Sequence, residues 1–207
     1  RVKQIGNFAF YNNAILRQIA LQPDTDNENA LTIGDYAFSA VPAAEITIPE
    51  RVSLIGVGAF EKCYSLTNIV FEQASEIELP LNIEGHAFAE CSALAQIELP
   101  ARLAYLGDYA FSLCVSLQNI DFTQSSLPLE LGSYVFDNCH FVYEITIPSR
   151  LVSMGENVFY YNTSLENNIT VHAANDFVKS VRIETDGADV KVILALQEGV
   201  GQYAQAF

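Results

Sequence analysis

Leu106-Gly107-Asp108-Tyr109-Ala110-Phe111-Ser112-Leu113-Cys114-Val115-Ser116-Leu117-Gln118-Asn119-Ile120 is the stretch on which the fold turns. It recurs, with variation, seven times. The phenylalanines marking the copies are Phe10, Phe38, Phe60, Phe88, Phe111, Phe136 and Phe159, at spacings of 28, 22, 28, 23, 25 and 23 residues. Self-similarity at such a period means one supersecondary unit per copy, stacked into a solenoid.

Numbered from the marker, three columns are apolar in every copy. Five residues before it stand Ile5, Ile33, Ile55, Ile83, Leu106, Leu131 and Met154. One residue before it stand Ala9, Ala37, Ala59, Ala87, Ala110, Val135 and Val158. Six residues after it stand Leu16, Ala44, Leu66, Leu94, Leu117, Val142 and Leu165. One copy cannot bury such a face alone, so neighbours bury it for each other. The Ala/Val column stays small because a larger residue beside the ring would overpack the layer. A period of roughly 20–29 residues with these columns predicts a leucine-rich-repeat solenoid of seven right-handed coils.

Four residues before the marker comes Gly6, Gly34, Gly56, Gly107, Gly132 or Gly155, while the fourth copy has Glu84 there and Gly85 one step late. A repeated glycine implies either positive φ or close approach of neighbouring coils. Short alternating runs follow each marker: 19–21, 46–48, 69–71, 97–99, 120–122, 145–147 and 169–171. Period-2 alternation of β-branched and aromatic residues reads as a half-buried strand. One strand per coil gives a parallel sheet on the concave face. Pro49, Pro100 and Pro148 stop three of these strands. The Ala-Phe segment is expected to form a short helical turn, with loops elsewhere.

Long and short spacings alternate, so the extra residues Pro23–Ala30, Gln73–Pro80 and Gln124–Pro128 fall on one edge of every second coil. That implies a two-copy ancestral unit. The pattern fails after Val171. Val181–Thr185, Asp186-Gly187 and Val190–Leu194 then read as strand, tight turn and strand. Residues 1–171 are therefore assigned to the solenoid and 172–207 to a cap or the start of a linker.

The chain has 207 residues, 50% hydrophobic and 17% charged, which is ample for a packed core. Its formal net charge of −15 opposes phosphate backbones and anionic lipid, so nucleic acid is not an expected partner. No apolar run is long enough to span a bilayer, so membrane insertion is not expected. The chain is expected to be a monomer.

The columns resemble the BspA-like leucine-rich-repeat family, whose copies carry Ile-Gly-x-x-Ala-Phe-x-x-Cys-x-x-Leu-x-x-Ile-x-Ile-Pro. Residues Ile55-Gly56-Val57-Gly58-Ala59-Phe60-Glu61-Lys62-Cys63-Tyr64-Ser65-Leu66-Thr67-Asn68-Ile69 match it here. The resemblance covers about residues 1–171. It implies bacterial surface or secreted proteins engaged in protein binding and adhesion, and no catalysis. It implies no single partner, because the match lies in core positions.

Cys63, Cys91, Cys114 and Cys139 each lie three residues after a marker, where Asn13 and Asn162 stand in the first and last copies. Equivalent stacked positions point the same way, so a ladder of buried, reduced thiols is expected rather than disulfides or a metal site. Cys139-His140 are adjacent in sequence, and adjacent residues usually diverge. His86, His140 and His172 occupy three different copy positions and form no shared metal face. Asp24-Thr25-Asp26-Asn27-Glu28-Asn29 spaces carboxylates like a calcium loop but lacks the glycine and distal glutamate of an EF-hand. A solvated acidic loop is the plainer expectation. Asn162-Thr163-Ser164 and Asn168-Ile169-Thr170 fit glycosylation acceptors, one at the inward Asn/Cys position and one on a strand. No cofactor or resident metal is expected.

The outward residues of the strand runs form two columns: Gln18, Glu45, Asn68, Gln96, Asn119, Glu144 and Asn168, and Ala20, Thr47, Val70, Glu98, Asp121, Thr146 and Thr170. They hold four acids and no Lys or Arg. The expected function is a non-catalytic binding module for a protein or glycan on the concave sheet. The candidate site is Gln96, Glu98, Asn119, Asp121 and Glu144. The alternative is a structural spacer that holds another domain away from the cell surface.

Overall fold

The computed structural model describes residues 2–21, 30–72, 79–123, 125, 127–142, 144–145, 148, 150–162, 178–186 and 189–196. Most coils contribute two strands. The first set is β1 (Gln4–Ile5), β3 (Leu31–Ile33), β5 (Val52–Ile55), β7 (Leu81–Ile83), β9 (Leu103–Leu106), β11 (Leu129–Leu131) and β13 (Leu151–Met154), and it pairs in that order into a seven-stranded sheet. The second set is β2 (Ile19–Ala20), β4 (Glu45–Ile48), β6 (Asn68–Phe71), β8 (Gln96–Leu99), β10 (Asn119–Phe122) and β12 (Glu144–Ile145). It forms two three-stranded sheets, β2-β4-β6 and β8-β10-β12. Every pairing within these sheets is parallel, one coil to the next.

The second set comprises the strands expected after each marker; the seventh, 169–171, lies outside the described residues. The first set departs from expectation, since its residues read only as an apolar column. From the second coil on, its strands bury both ends and leave the middle half-buried, as in Val52-Ser53-Leu54-Ile55, or exposed, as at Asn82 and Glu130. Their register shifts at Leu31/Thr32, Leu81/Asn82 and Leu129/Glu130. A bulged strand of this length shows no period of two. Finally, β14 (Val178–Asp186) and β15 (Asp189–Leu196) form an antiparallel hairpin, with Val181 opposite Leu194. It is longer at both ends than the sequence pattern implies.

The marker segment is not helical, and no helix occurs among the described residues. Its backbone hydrogen bonds explain why. The N–H groups of Tyr109, Phe111 and Leu113 donate to the carbonyls of Ser133, Val135 and Asp137 on the next coil, at 2.9, 2.8 and 2.8 Å. The N–H groups of Ala110, Ser112 and Cys114 donate three residues back, to Gly107, Tyr109 and Phe111. Half of the donors therefore point along the solenoid, where a helix would direct all of them along its own axis. The geometry needs left-handed backbone two residues before and two after the marker, as at Tyr109 (φ 58°) and Leu113 (φ 60°). The same holds for Tyr36 and Ala40, His86 and Glu90, and Tyr134 and Asn138. A left-handed non-glycine residue costs roughly 1–2 kcal/mol. The inter-coil hydrogen bond gained at each such step offsets that cost.

The expected glycine column resolves as close approach. A Cβ on Gly107 would lie 2.5 Å from the Gly85 nitrogen, and one on Gly34 would lie 2.8 Å from the Ile5 carbonyl oxygen. Each glycine lets its coil settle on the coil before it. In the fourth coil Gly85, one step late, meets the following coil instead, its added Cβ 3.1 Å from the Asp108 carbonyl oxygen.

Inside, the marker rings stack face to face. Centroid separations run from 5.1 Å for Phe88–Phe111 to 5.7 Å for Phe111–Phe136, with interplanar angles no greater than 14°. Phe111 is fully buried between its neighbours, whereas Phe10 on the first coil is 40% exposed. Phe111→Ala is expected to cost about 3–5 kcal/mol in denaturant unfolding, from lost transfer energy plus a cavity; Phe10→Ala is expected to cost clearly less. Gly107→Ala is likewise expected to lower the thermal midpoint, because backbone stands in its way. Gly6→Ala, with nothing within 4 Å of its added Cβ, leaves the midpoint nearly unchanged.

Candidate ligand-binding face

The strand pattern sets which side chains leave the core. Ile97 and Leu99 of β8, and Ile120 and Phe122 of β10, are buried. Their alternates Gln96, Glu98, Asn119 and Asp121 are exposed on one face. Register places Gln96 beside Asn119, Asn119 beside Glu144, and Glu98 beside Asp121. The five candidate residues therefore come together on three adjacent strands, with the Thr123 hydroxyl donating to Glu98 Oε1 at 3.4 Å.

The two halves of this face are not joined. The β4–β6 and β8–β10 pairs each run over four residues, whereas β6 and β8 share no ladder among the described residues. Proline follows every second strand of this set. Just past β6 and β10, the N–H groups of Glu72 and Thr123 donate to Ile48 and Leu99 on the preceding coil, both at 2.9 Å. The matching step after β4, β8 and β12 is Pro49, Pro100 or Pro148, which has no N–H to give. Between β6 and β8 lies a recess of about 250 Å³, lined by Asn68, Val70, Gln96, Glu98 and Asp121 among others. Val70 is an exposed apolar residue on its floor. Asn68 and Val70 belong to the same outward columns as the candidate residues. Their part in a recess is not legible from sequence, because it depends on a missing ladder between strands.

The thiols lie well away from this face. Cys63, Cys91, Cys114 and Cys139 are free and buried. Each Sγ donates to the carbonyl of a marker one coil earlier, at 3.2–3.3 Å: Phe38, Phe60, Phe88 and Phe111 in turn. Asn162 Nδ2 makes the same bond to Phe136 at 2.7 Å. Burial pushes Cys63 and Cys114 up to about 12, and Cys91 and Cys139 well above the usual thiol value. Low-pKa nucleophiles need the opposite environment. His140 is turned aside, its Nδ1 3.2 Å from the Tyr161 carbonyl oxygen. His86 stacks on Tyr109 at the surface, rings 5.0 Å apart. His172 and the Asp24–Asn29 stretch lie outside the described residues.

One buried charge went unread in the sequence. Arg102 is 3% exposed, and its guanidinium donates to the carbonyls of Val52 and of Pro49 (3.1 Å), two coils earlier. Arg150 repeats this with Leu103 and Pro100. Burial lowers the Arg102 pKa to about 10, against a weaker opposing pull from Glu50. The signal is in the sequence as Pro49-Glu50-Arg51, Pro100-Ala101-Arg102 and Pro148-Ser149-Arg150. It is visible only once the copies are aligned in pairs.

A family model described as a BspA-type leucine-rich-repeat region matches residues 1–79 and 73–181. The chain belongs to the BspA-type leucine-rich-repeat family. Among solved structures, a leucine-rich-repeat protein of Treponema pallidum is 22% identical, with a TM-score of 0.54 over 80% of this chain and 79% of its own. At that identity the likeness shows the solenoid fold alone. A leucine-rich cell-surface protein of Faecalibacterium prausnitzii is 23% identical, with a TM-score of 0.44 over 68% of this chain. This BspA-type chain spans 51% of the length of that protein. A leucine-rich-repeat protein of Bacteroides capillosus is 27% identical, with a TM-score of 0.39 over 49% of this chain. No curated protein matches.

The thiol ladder carries a prediction. Native protein is expected to react with few or none of its cysteines under a water-soluble thiol reagent, and with all four once unfolded. The four are also expected to make stability fall with pH. A thiol at 9.0 unfolded and about 12 folded keeps its proton in the native state while the unfolded chain loses it. Its contribution is complete below pH 9 and drains away between 9 and 12. The thermal midpoint should drop as pH rises above 9, and a variant with all four cysteines changed to Ala should lose much of that slope.

Proposed function

We propose that the chain is a non-catalytic binding module of a bacterial cell surface. It takes a partner that presents positive charge, on the face carrying Gln96, Glu98, Asn119, Asp121 and Glu144. The observation that carries this reading is the pairing of Glu98 with Asp121 in register beside the polar recess at the β6/β8 break. The outward columns that flank them contain no Lys or Arg. Charge of one sign lining a concave site raises the encounter rate with a partner of the opposite sign and penalises wrong partners. The exposed Val70 at the recess supplies apolar contact at its centre. Membership of the BspA-type family supports surface placement.

The test is capture of host matrix proteins and bacterial surface glycans by the immobilised chain, compared with the double variant Glu98→Lys, Asp121→Lys. Both positions are exposed on strands, so the unfolding midpoint is expected to stay nearly unchanged while capture is lost. Capture by the parent should also weaken as ionic strength rises, since exposed charges are screened over about 8–10 Å at physiological salt. A double variant that binds as well as the parent would move the site elsewhere. A parent that enriches no partner favours the spacer.

A further inference from the structure

The recess at the β6/β8 break has two unlike ends. Asn68 and Gln96 stand at the same offset from their markers, one on each side of the break, and both line it. Two residues further along each strand, Val70 is level with Glu98, and Asp121 lies beside Glu98 in register on β10. One end therefore carries two side-chain amides, and the other carries two carboxylates facing an exposed valine. Ile69 and Ile97 reach the recess from the core side and give it an apolar base.

Size and spacing narrow what fits. Pockets for drug-sized ligands run to roughly 300–1,000 Å³, and this one is about 250 Å³, the scale of one long side chain. Gln96 and Glu98 are two residues apart on one strand, about 6.6 Å. The stem of a long basic side chain spans that distance, so a chain held at the amide end can set its charged group at the acid end.

The polar groups are open to a partner. Among the described residues neither Glu98 nor Asp121 pairs with a cation, and Glu98 holds only the Thr123 hydroxyl. The side-chain amides of Asn68 and Gln96 make no hydrogen bond among the described residues. Each amide offers both a donor and an acceptor, which is the complement of a peptide backbone. A divalent metal fits the acid end poorly, because calcium takes about six to eight oxygens and no group of three or more His, Cys, Asp or Glu able to hold a metal occurs among the described residues. An ammonium is compact and strongly hydrated, whereas a guanidinium is weakly hydrated, planar and forked to match carboxylate oxygens. Two carboxylates opposite a valine suit the guanidinium.

We propose that the recess seats one arginine side chain from an extended segment of a protein partner. The guanidinium lies at Glu98 and Asp121, the stem lies against Val70, and the amides of Asn68 and Gln96 hold the backbone of the segment. The inference rests on the reading of this face as the binding site and narrows it, since it makes the partner a polypeptide and not a glycan.

The experiment titrates the isotope-labelled chain, followed by NMR, with three short peptides that differ only in a central arginine, lysine or citrulline, the last a neutral analogue of arginine. The arginine peptide is expected to shift the Val70 methyl and the Asn68 and Gln96 side-chain amide signals saturably. It should bind at least roughly tenfold more tightly than the lysine peptide, and the citrulline peptide should not bind. Val70→Trp fills the recess and leaves every charge in place, so it should abolish binding of the arginine peptide. Thr47→Trp, in register with Val70 one coil away and outside the recess, should leave binding intact. Both variants should keep the unfolding midpoint of the parent. A lysine peptide that binds as tightly as the arginine peptide would overturn the proposal. If Glu98→Lys with Asp121→Lys abolishes partner capture while Val70→Trp changes nothing, or while none of the peptides binds the parent, the charged face stands and the arginine seat falls. Arginine-peptide binding that survives the double charge reversal would remove both.

Discussion

The structure depends on where the marker segment sends its backbone hydrogen bonds. Alternate N–H groups close the turn locally, and the others cross to the next coil. The same residues thus shape one coil and bind the next, at the cost of two left-handed residues per coil. The stacked rings and the glycine contacts follow, because a fixed inter-coil ladder sets the spacing at which rings meet and at which no Cβ fits. A true helical turn would keep its hydrogen bonds to itself and leave adjacent coils joined by packing alone.

The split face sets a recess beside the candidate residues, at the joint where β6 and β8 share no ladder. Proline after every second strand removes one backbone donor at that joint, and at the β6/β8 joint no ladder forms among the described residues. The core beneath is undisturbed, since Ile69, Phe71, Ile97 and Leu99 stay buried on both sides of the gap. Function can then vary at exposed alternates without touching the residues that stack. This separation is general in repeat proteins, where each unit contacts only its neighbours and the exposed surface is free to diverge.

Much of this architecture was legible because it is written as repetition. The marker ring, the small column before it and the cysteine column each recur at fixed offsets, and from the second coil on all three occupy the interior. The glycine column signalled a constraint without saying which kind, and close approach proves to be the answer. What stayed hidden has physical reasons. The seven-stranded sheet is built of bulged strands too short for alternation to register, such as Leu81-Asn82-Ile83. Left-handed backbone falls on Tyr36, Lys62 and Leu113, residue types that carry no turn signal. Of the candidate site, the register among Gln96, Asn119 and Glu144 could be read from the columns; the recess beside it could not.

The arginine clamp has a consequence for how such arrays change length. Arg102 passes the coil between and grips the one beyond it, so the clamp counts coils in twos. Loss or duplication of one coil by recombination would set the guanidinium against a coil that carries a long insertion where it needs a Pro-x-Arg corner. A buried cation deprived of its acceptors is strongly destabilising. Duplication of two coils leaves every clamp intact. The clamp thus favours change of length by whole pairs of coils, the unit in which the spacings alternate.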